Sequence, residues 1–271
     1  MVRRLIVIVS VVLALSGAVK VCCGESTIAW DGFESGDGTG GAGWSGNWAF
    51  SGTTDVIAGT IPAHTGSHHL RLRSGDGIAT RTVNMTGVVA LHNLSLWWKA
   101  YHFETGEYAT VDVFDGSWHT VLTVSDGQDD NIYHSADVNL SDYNMVSNFQ
   151  IRAASHMSGP GDFFYIDDIL IAGTLLQYTI SGTITAGSKG VSDVNLIGLG
   201  VVTDSNGFYT AAVDYGFSGV ATPAKAGYTF DPNSRSYTNV TADQPDQNFA
   251  ALPSDNFNDN KKNSMWRTVV R

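Results

Sequence analysis

Through most of the chain apolar and polar residues alternate with period two, in runs of five to nine bounded by Gly, Asn, Asp and Ser. Clear cases are residues 69–73 (HLRLR), 94–101 (LSLWWKAY), 108–114 (YATVDVF), 118–124 (WHTVLTV), 149–153 (FQIRA) and 163–171 (FFYIDDILI). No stretch after the first 24 residues repeats apolar positions at helical spacing over three turns, so the pattern predicts strands throughout. In the run 94–101, Leu94, Leu96, Trp98 and Ala100 share one face and read as core. Ser95, Trp97, Lys99 and Tyr101 share the other, which suits an outer or ligand-facing surface.

Short strands punctuated every dozen or so residues predict an antiparallel β-sandwich over residues 25–174. Near residue 175 the pattern resets. Runs at 178–185, 191–197, 200–203, 208–213, 219–222, 228–230 and 246–250 predict a smaller immunoglobulin-like β-sandwich over residues 175–253. Asp204-Ser205-Asn206-Gly207 reads as a tight hairpin, because Asn-Gly accepts the positive φ angles such turns need. With no cysteine pair or tryptophan, this block is not a true immunoglobulin domain. Residues 254–271 echo the beginning of the first block: Asp255-Asn256-Phe257-Asn258-Asp259 then Trp266 repeats Asp31-Gly32-Phe33-Glu34 then Trp44. The segment reads as the truncated start of a further module, expected to be disordered or loosely docked for want of partner strands.

The first 24 residues differ in kind. Arg3 and Arg4 precede an apolar run at 5–15 and then Ser16, Gly17 and Ala18, the layout of a secretory signal peptide. Lys20 interrupts the run too early for a span of about 20 apolar residues, so no membrane span is expected after cleavage. Cleavage after Ala18 or after Gly24 fits the small-residue rule, and lipidation at Cys22 or Cys23 is the rival reading. Both cysteines lie here, so cleavage after Gly24 leaves a chain with neither disulfides nor thiolate chemistry.

The net charge of −11 argues against a nucleic-acid partner, since such affinity comes from Lys and Arg on phosphates. Charge is uneven. Residues 25–174 carry five basic against 18 acidic residues, with all eight histidines and all four glutamates. Residues 175–253 have neither His nor Glu, which argues against acid–base catalysis there.

The first block resembles the MAM and laminin-G-like group of jelly-roll domains over about 27–173. The resemblance is carried by Asp31-Gly32-Phe33-Glu34-Ser35-Gly36-Asp37 with Gly43-Trp44, by Leu94-Ser95-Leu96-Trp97-Trp98, and by Phe149-Gln150-Ile151, Gly161-Asp162 and Tyr165-Ile166-Asp167-Asp168-Ile169. It departs from MAM domains in lacking their four cysteines. Residues 177–251 are similar to the carboxypeptidase-regulatory-like repeats of secreted bacterial proteins, through Ser181-Gly182-Thr183-Ile184, Val191-Ser192-Asp193-Val194, Thr203-Asp204-Ser205-Asn206-Gly207-Phe208-Tyr209 and Gly227-Tyr228-Thr229-Phe230. That resemblance implies a transthyretin-like β-sandwich that serves as a spacer or docking scaffold without activity of its own.

Three constellations are candidates for chemistry. If the first and last strands of the jelly roll are neighbours, Glu34 and Asp37 meet Asp167 or Asp168 and offer an oxygen-rich structural Ca²⁺ site; otherwise the aspartates cap turns or pair with Arg152 or Arg81. Residues 126–131 (DGQDDN) lack the order of a calcium loop and read as a solvated turn. Glu104 and Glu107 are the only close glutamates, but the intervening Gly106 suits a turn better than a glycosidase pair. The histidines include no His-Glu-x-x-His, and no Gly-x-Ser-x-Gly occurs, so no catalytic residues are assigned. Aromatic platforms are the remaining feature: Trp118, Trp97 and Tyr101 are the expected carbohydrate contacts, the alternative being that Trp97 packs under a neighbouring loop. The sequence thus describes a secreted or cell-surface, non-catalytic module that recognises an extracellular glycan or surface protein. Structural spacer modules, or accessory modules of an exported hydrolase whose catalytic domain lies elsewhere, are the alternatives.

Overall fold

The computed structural model describes residues 25–59 and 61–254; the predicted leader with both cysteines and the echo segment from Asp255 onward lie outside them. It is all-β and divides into two units, one reaching Leu176 and the other starting at Gln177.

Eleven strands build the first unit. They are β1 (Ser26–Asp31), β2 (Ala49–Ser51), β3 (Thr54–Ala58), β4 (His68–Arg73), β5 (Ile78–Thr82), β6 (Val88–Tyr101), β7 (Tyr108–Phe114), β8 (Trp118–Ser125), β9 (His134–Asn139), β10 (Gln150–His156) and β11 (Phe163–Leu175). They form a six-stranded sheet of order β3-β4-β11-β6-β9, with β1 also on β11, and a five-stranded sheet of order β2-β5-β10-β7-β8. This is the expected jelly-roll sandwich. Its core joins the inward residues of both sheets: Leu94, Leu96, Trp98 and Ala100 of β6, with Leu70, Leu72, Phe164 and Ile166, against Ala109, Val111, Val113, Ile151 and Ala153.

The first and last strands are neighbours, as the calcium reading required. One edge of β11 takes β6 along its whole length, and the other is divided between β4 (residues 163–166) and β1 (169–173). At the changeover lie Asp167 and Asp168, where the ladder to β6 is interrupted by a bulge and Asp168 adopts φ 48°. A bulge here re-aims side chains that simple alternation would place on fixed faces.

Nine further strands build the second unit: β12 (Gln177–Ala186), β13 (Lys189–Gly190), β14 (Asn195–Ile197), β15 (Val201–Val202), β16 (Phe208–Asp214), β17 (Phe217–Ala224), β18 (Tyr228–Asp231), β19 (Arg235–Val240) and β20 (Phe249–Pro253). One sheet runs β13-β12-β20-β18 with β16 on β12; the other runs β15-β14-β17-β19. Between them Ile180, Ile184, Val194, Leu196, Tyr209 and Phe249 are buried. The turn 204–207 forms, closed by Asp204 Oδ1 accepting from the Asn206 and Phe208 amides, with Gly207 at φ 77°. It is not an in-sheet hairpin, however: β15 pairs with β14, and β16 pairs with β12 in the opposite sheet. Turn chemistry settles how the chain reverses, and packing settles which sheet receives each arm.

Candidate functional site

Alternation along β7 sends Ala109, Val111 and Val113 into the core and Tyr108, Thr110, Asp112 and Phe114 outward. The register brings β10 and β8 alongside, so Arg152 sits opposite Asp112, His156 opposite Tyr108, and Trp118 opposite Phe114. The outer face of the five-stranded sheet therefore has a polar centre between two aromatic ends.

The centre is a buried carboxylate with four donors. Asp112, 2% exposed, accepts from Arg152 Nε and Nη2, both at 2.9 Å, from Thr120 Oγ1 at 2.7 Å and from Thr110 Oγ1 at 3.3 Å. A two-pronged guanidinium–carboxylate contact holds Arg152 in one orientation. In that orientation its Cζ lies 4.0 Å from the centroid of the Trp118 ring. Phe114 supports the same indole at 5.3 Å, and 38% of Trp118 remains exposed. The turn that presents Trp118 is stiff, because Asp115 accepts from the amide and side chain of Asn144 and from His119 Nε2 at 2.9 Å. The Asn144 amide, foremost, holds the Asp115 carboxyl below its usual range. At the far end Tyr108, 37% exposed, stacks on His156 at 4.4 Å. Six residues of extended chain separate Tyr108 from Phe114, about 20 Å.

The expected aromatic trio is not one site. Trp118 belongs to this face, whereas Trp97 and Tyr101 lie on β6, on the outer face of the other sheet. Both Trp118 and Tyr101 are exposed, as a binding role requires, but they serve opposite sides of the sandwich. Trp97 follows the packed alternative: the His64 ring stacks on it at 3.8 Å and 13°. Tyr101 is bracketed by His102 at 4.9 Å and Phe163 at 6.4 Å.

What holds His64 there is the set of carboxylates expected to bind calcium. Asp167, fully buried, accepts from the His64 and Thr65 amides; Asp168 accepts from Thr65 Oγ1 at 2.7 Å and contacts His64 Nδ1 at 2.6 Å. Glu34 accepts from the Ser67 and His68 amides, both at 2.9 Å. Asp37 turns back on Thr39. Three of the four carboxylates are thus dispersed onto protein donors at residues 64–68, and Asp37 onto Thr39, instead of converging as Ca²⁺ coordination demands. Neither Arg152 nor Arg81 meets the aspartates: Arg152 pairs with Asp112, and Arg81 with buried Asp31 at 2.5 Å. Burial first, then the charge of Asp168, pushes Asp167 up to about 6.

Beneath the strapped segment lies a buried polar layer. Lys99, 4% exposed, donates to the Pro62 carbonyl and sits over the Tyr133 and Tyr165 rings. His69 Nδ1 meets the Tyr133 hydroxyl at 2.6 Å. Burial, then the Lys99 and Arg71 charges, holds His69 down to about 4.

Glu104 and Glu107 form the anticipated turn. The Glu104 amide donates to Glu107 Oε2 at 2.8 Å, and Glu107 Oε1 accepts from the Ser158 amide. Burial opposes the charge on Glu107, yet hydrogen bonds from Ser158 and the Glu104 amide hold it at about 2. The 126–131 turn is likewise consumed by local amides, with Asp129 capping Phe103 and Asp130 capping Ile132. Among the described residues the one set with metal-ligating atoms within 4.8 Å of one another is His102, Glu104 and Asp162, around the ends of these turns.

Sequence reasoning missed Arg152, Asp112, Tyr108 and His156 as site residues. The alternation of β7 already puts Tyr108, Asp112 and Phe114 on one face, which was a usable signal. The pairing of Asp112 with Arg152 depends on a register 40 residues away in sequence.

No protein-family model matches the chain, and no curated protein matches it. Among solved structures it is similar to a family 61 carbohydrate-binding module in complex with β-1,4-galactotriose (16% identity, TM-score 0.39, covering 52% of this chain and 92% of that one). It is also similar to the CBM22-1 xylan-binding domain of Paenibacillus barcinonensis Xyn10C (15%, 0.39, 59% and 99%) and to the K2 adhesin domain of Lys-gingipain (12%, 0.37, 55% and 99%). At these TM-scores the likeness carries no conclusion about fold or ligand.

Proposed function

We propose that residues 25–176 are a secreted glycan-recognition module whose ligand lies along the outer face of the five-stranded sheet. The observation that carries this reading is the Trp118 indole, exposed yet held by Arg152 at 4.0 Å and by a stiff turn. Sugars offer apolar C–H faces and hydroxyl edges together, and an aromatic surface beside charged hydrogen-bonding groups complements both. The strip from Trp118 past Arg152, Thr120 and Thr110 to Tyr108 has the length of a short oligosaccharide. Residues 177–254, without His or Glu, suit a spacer or docking scaffold for that module.

Affinity electrophoresis through gels containing soluble polysaccharides tests the reading. A retarded wild-type chain whose retardation is lost in Trp118→Ala and weakened in Tyr108→Ala is the expected result. Retardation unchanged in both variants, or absent on every polysaccharide tried, overturns it.

A further inference from the structure

The opposite side of the same sandwich carries a second groove. It has a volume of about 510 Å³, within the roughly 300–1,000 Å³ of small-ligand sites. Its wall on one side is Trp30 of β1 and on the other Trp97 of β6, with Ser95 and Leu170 between them and Asp168 and Gly32 at one end. Register explains the layout: Trp30 pairs with Leu170, and Leu170 pairs with Ser95, so the three stand abreast on the outer face. The bulge at 167–168 then turns the Asp168 carboxylate toward the same groove.

Of the six tryptophans described, only Trp30 and Trp118 are exposed, and Trp30, at 50%, more so. Half an indole in water beside an exposed Leu170 is apolar surface that folding leaves unused. Two of the groove-lining side chains, Asp168 and Trp97, are positioned in advance. Asp168 is fixed by His64 and Thr65, yet each carboxylate oxygen keeps a lone pair for a further donor, and its side chain is 27% exposed. Trp97 is fixed by the His64 stack. The lining includes no basic residue; its ionisable groups are Asp31 and Asp168.

We propose that this groove is a second saccharide site, taking one or two rings of a neutral sugar, with a ring face on Trp30 and ring hydroxyls donating to Asp168. Asp31 is buried against Arg81, so Asp168 is the carboxylate a ligand meets, and with no basic residue in the lining to pair an acidic sugar the site favours uncharged glycans. It goes beyond the function proposed above, because it shares no residue with the Trp118 face and stands or falls separately.

Indole ¹⁵N–¹H spectra of the whole chain provide the test, with signals assigned from Trp30→Phe and Trp118→Phe. The probes are xylohexaose, cellohexaose, mannohexaose and β-1,4-galactotriose, with trigalacturonic acid as the charged comparison. The expected result is a Trp30 shift with at least one neutral probe. It persists in Trp118→Ala, and Asp168→Asn weakens the affinity at least tenfold. A Trp30 signal that stays still with every neutral probe, moves only when Trp118 is present, or responds best to trigalacturonic acid overturns the proposal. If Trp30 shifts while Trp118 does not, this site holds and the Trp118 reading fails. Because Trp30 is half exposed, unchanged positions of the other indole signals will show that its variants fold.

Discussion

The two outer faces of the first sandwich use similar residue types to opposite ends. On the five-stranded sheet a carboxylate is buried at the centre and its arginine partner is carried outward to an open indole: Asp112, Arg152 and Trp118. On the six-stranded sheet the carboxylates face a polypeptide segment and draw it down, so that Lys99, His69 and Tyr165 are covered and His64 takes one face of Trp97. The difference lies in what the acids hold. A carboxylate that accepts from a side chain on its own sheet leaves the surface open; one that accepts from loop amides brings a roof with it. Beyond the roof the second face stays open at Trp30 and at Tyr101.

Breaking the first arrangement should have the largest effect. Arg152→Ala leaves Asp112 buried without its counter-charge and should destabilise the unit by about 3 kcal/mol, measured by denaturant unfolding, with glycan retention lost as well. Trp118→Ala should remove the retention while costing less than about 1 kcal/mol of stability, which separates contact from scaffold.

Next in size are opposite pH slopes on the covered face. His69 near 4 binds fewer protons folded than unfolded between pH 4 and 6.5, so it makes stability rise with pH. Asp167 near 6 binds more protons folded than unfolded between about 3.8 and 6, so it makes stability fall with pH. In the wild type the two offset each other. Asp167→Asn should therefore expose a rise between pH 4.5 and 6, and His69→Gln a fall over the same interval, each up to about 2 kcal/mol by urea denaturation. Equal slopes in the two variants would show that the layer is not dry. The groups facing this pair are Asp168, His64, Lys99, Arg71, His68 and Asp55.

Releasing the roof should matter less. His64→Ala removes one stack and one side-chain hydrogen bond, both partly exposed, and should cost about 1 kcal/mol without changing retention through Trp118. The smallest effect concerns calcium. With Glu34, Asp167 and Asp168 already accepting from protein donors, excess calcium against chelator should move the melting temperature by less than about 1 °C. A rise of several degrees would mean that the carboxylates regroup around the ion.

Much of this was legible before any coordinates. The run 108–114 became a strand of the same bounds, and Leu94, Leu96, Trp98 and Ala100 are core as alternation required. The Gly106 turn and the capped 126–131 turn also follow from local chemistry. Short or poorly patterned strands escaped, among them β1 and the segment at 235–240, whose only buried members are Tyr237 and Val240.

Period-two alternation and turn residues are local properties, and by themselves they determined an all-β chain of two sandwiches and which side of each long strand faces inward. Which outward side chains meet is a matter of register, bulges and sheet membership, which are settled only when distant strands pack. For that reason Trp118 and Tyr101, 17 positions apart in sequence, fell on opposite faces, while Asp112 found Arg152 and Asp168 found His64.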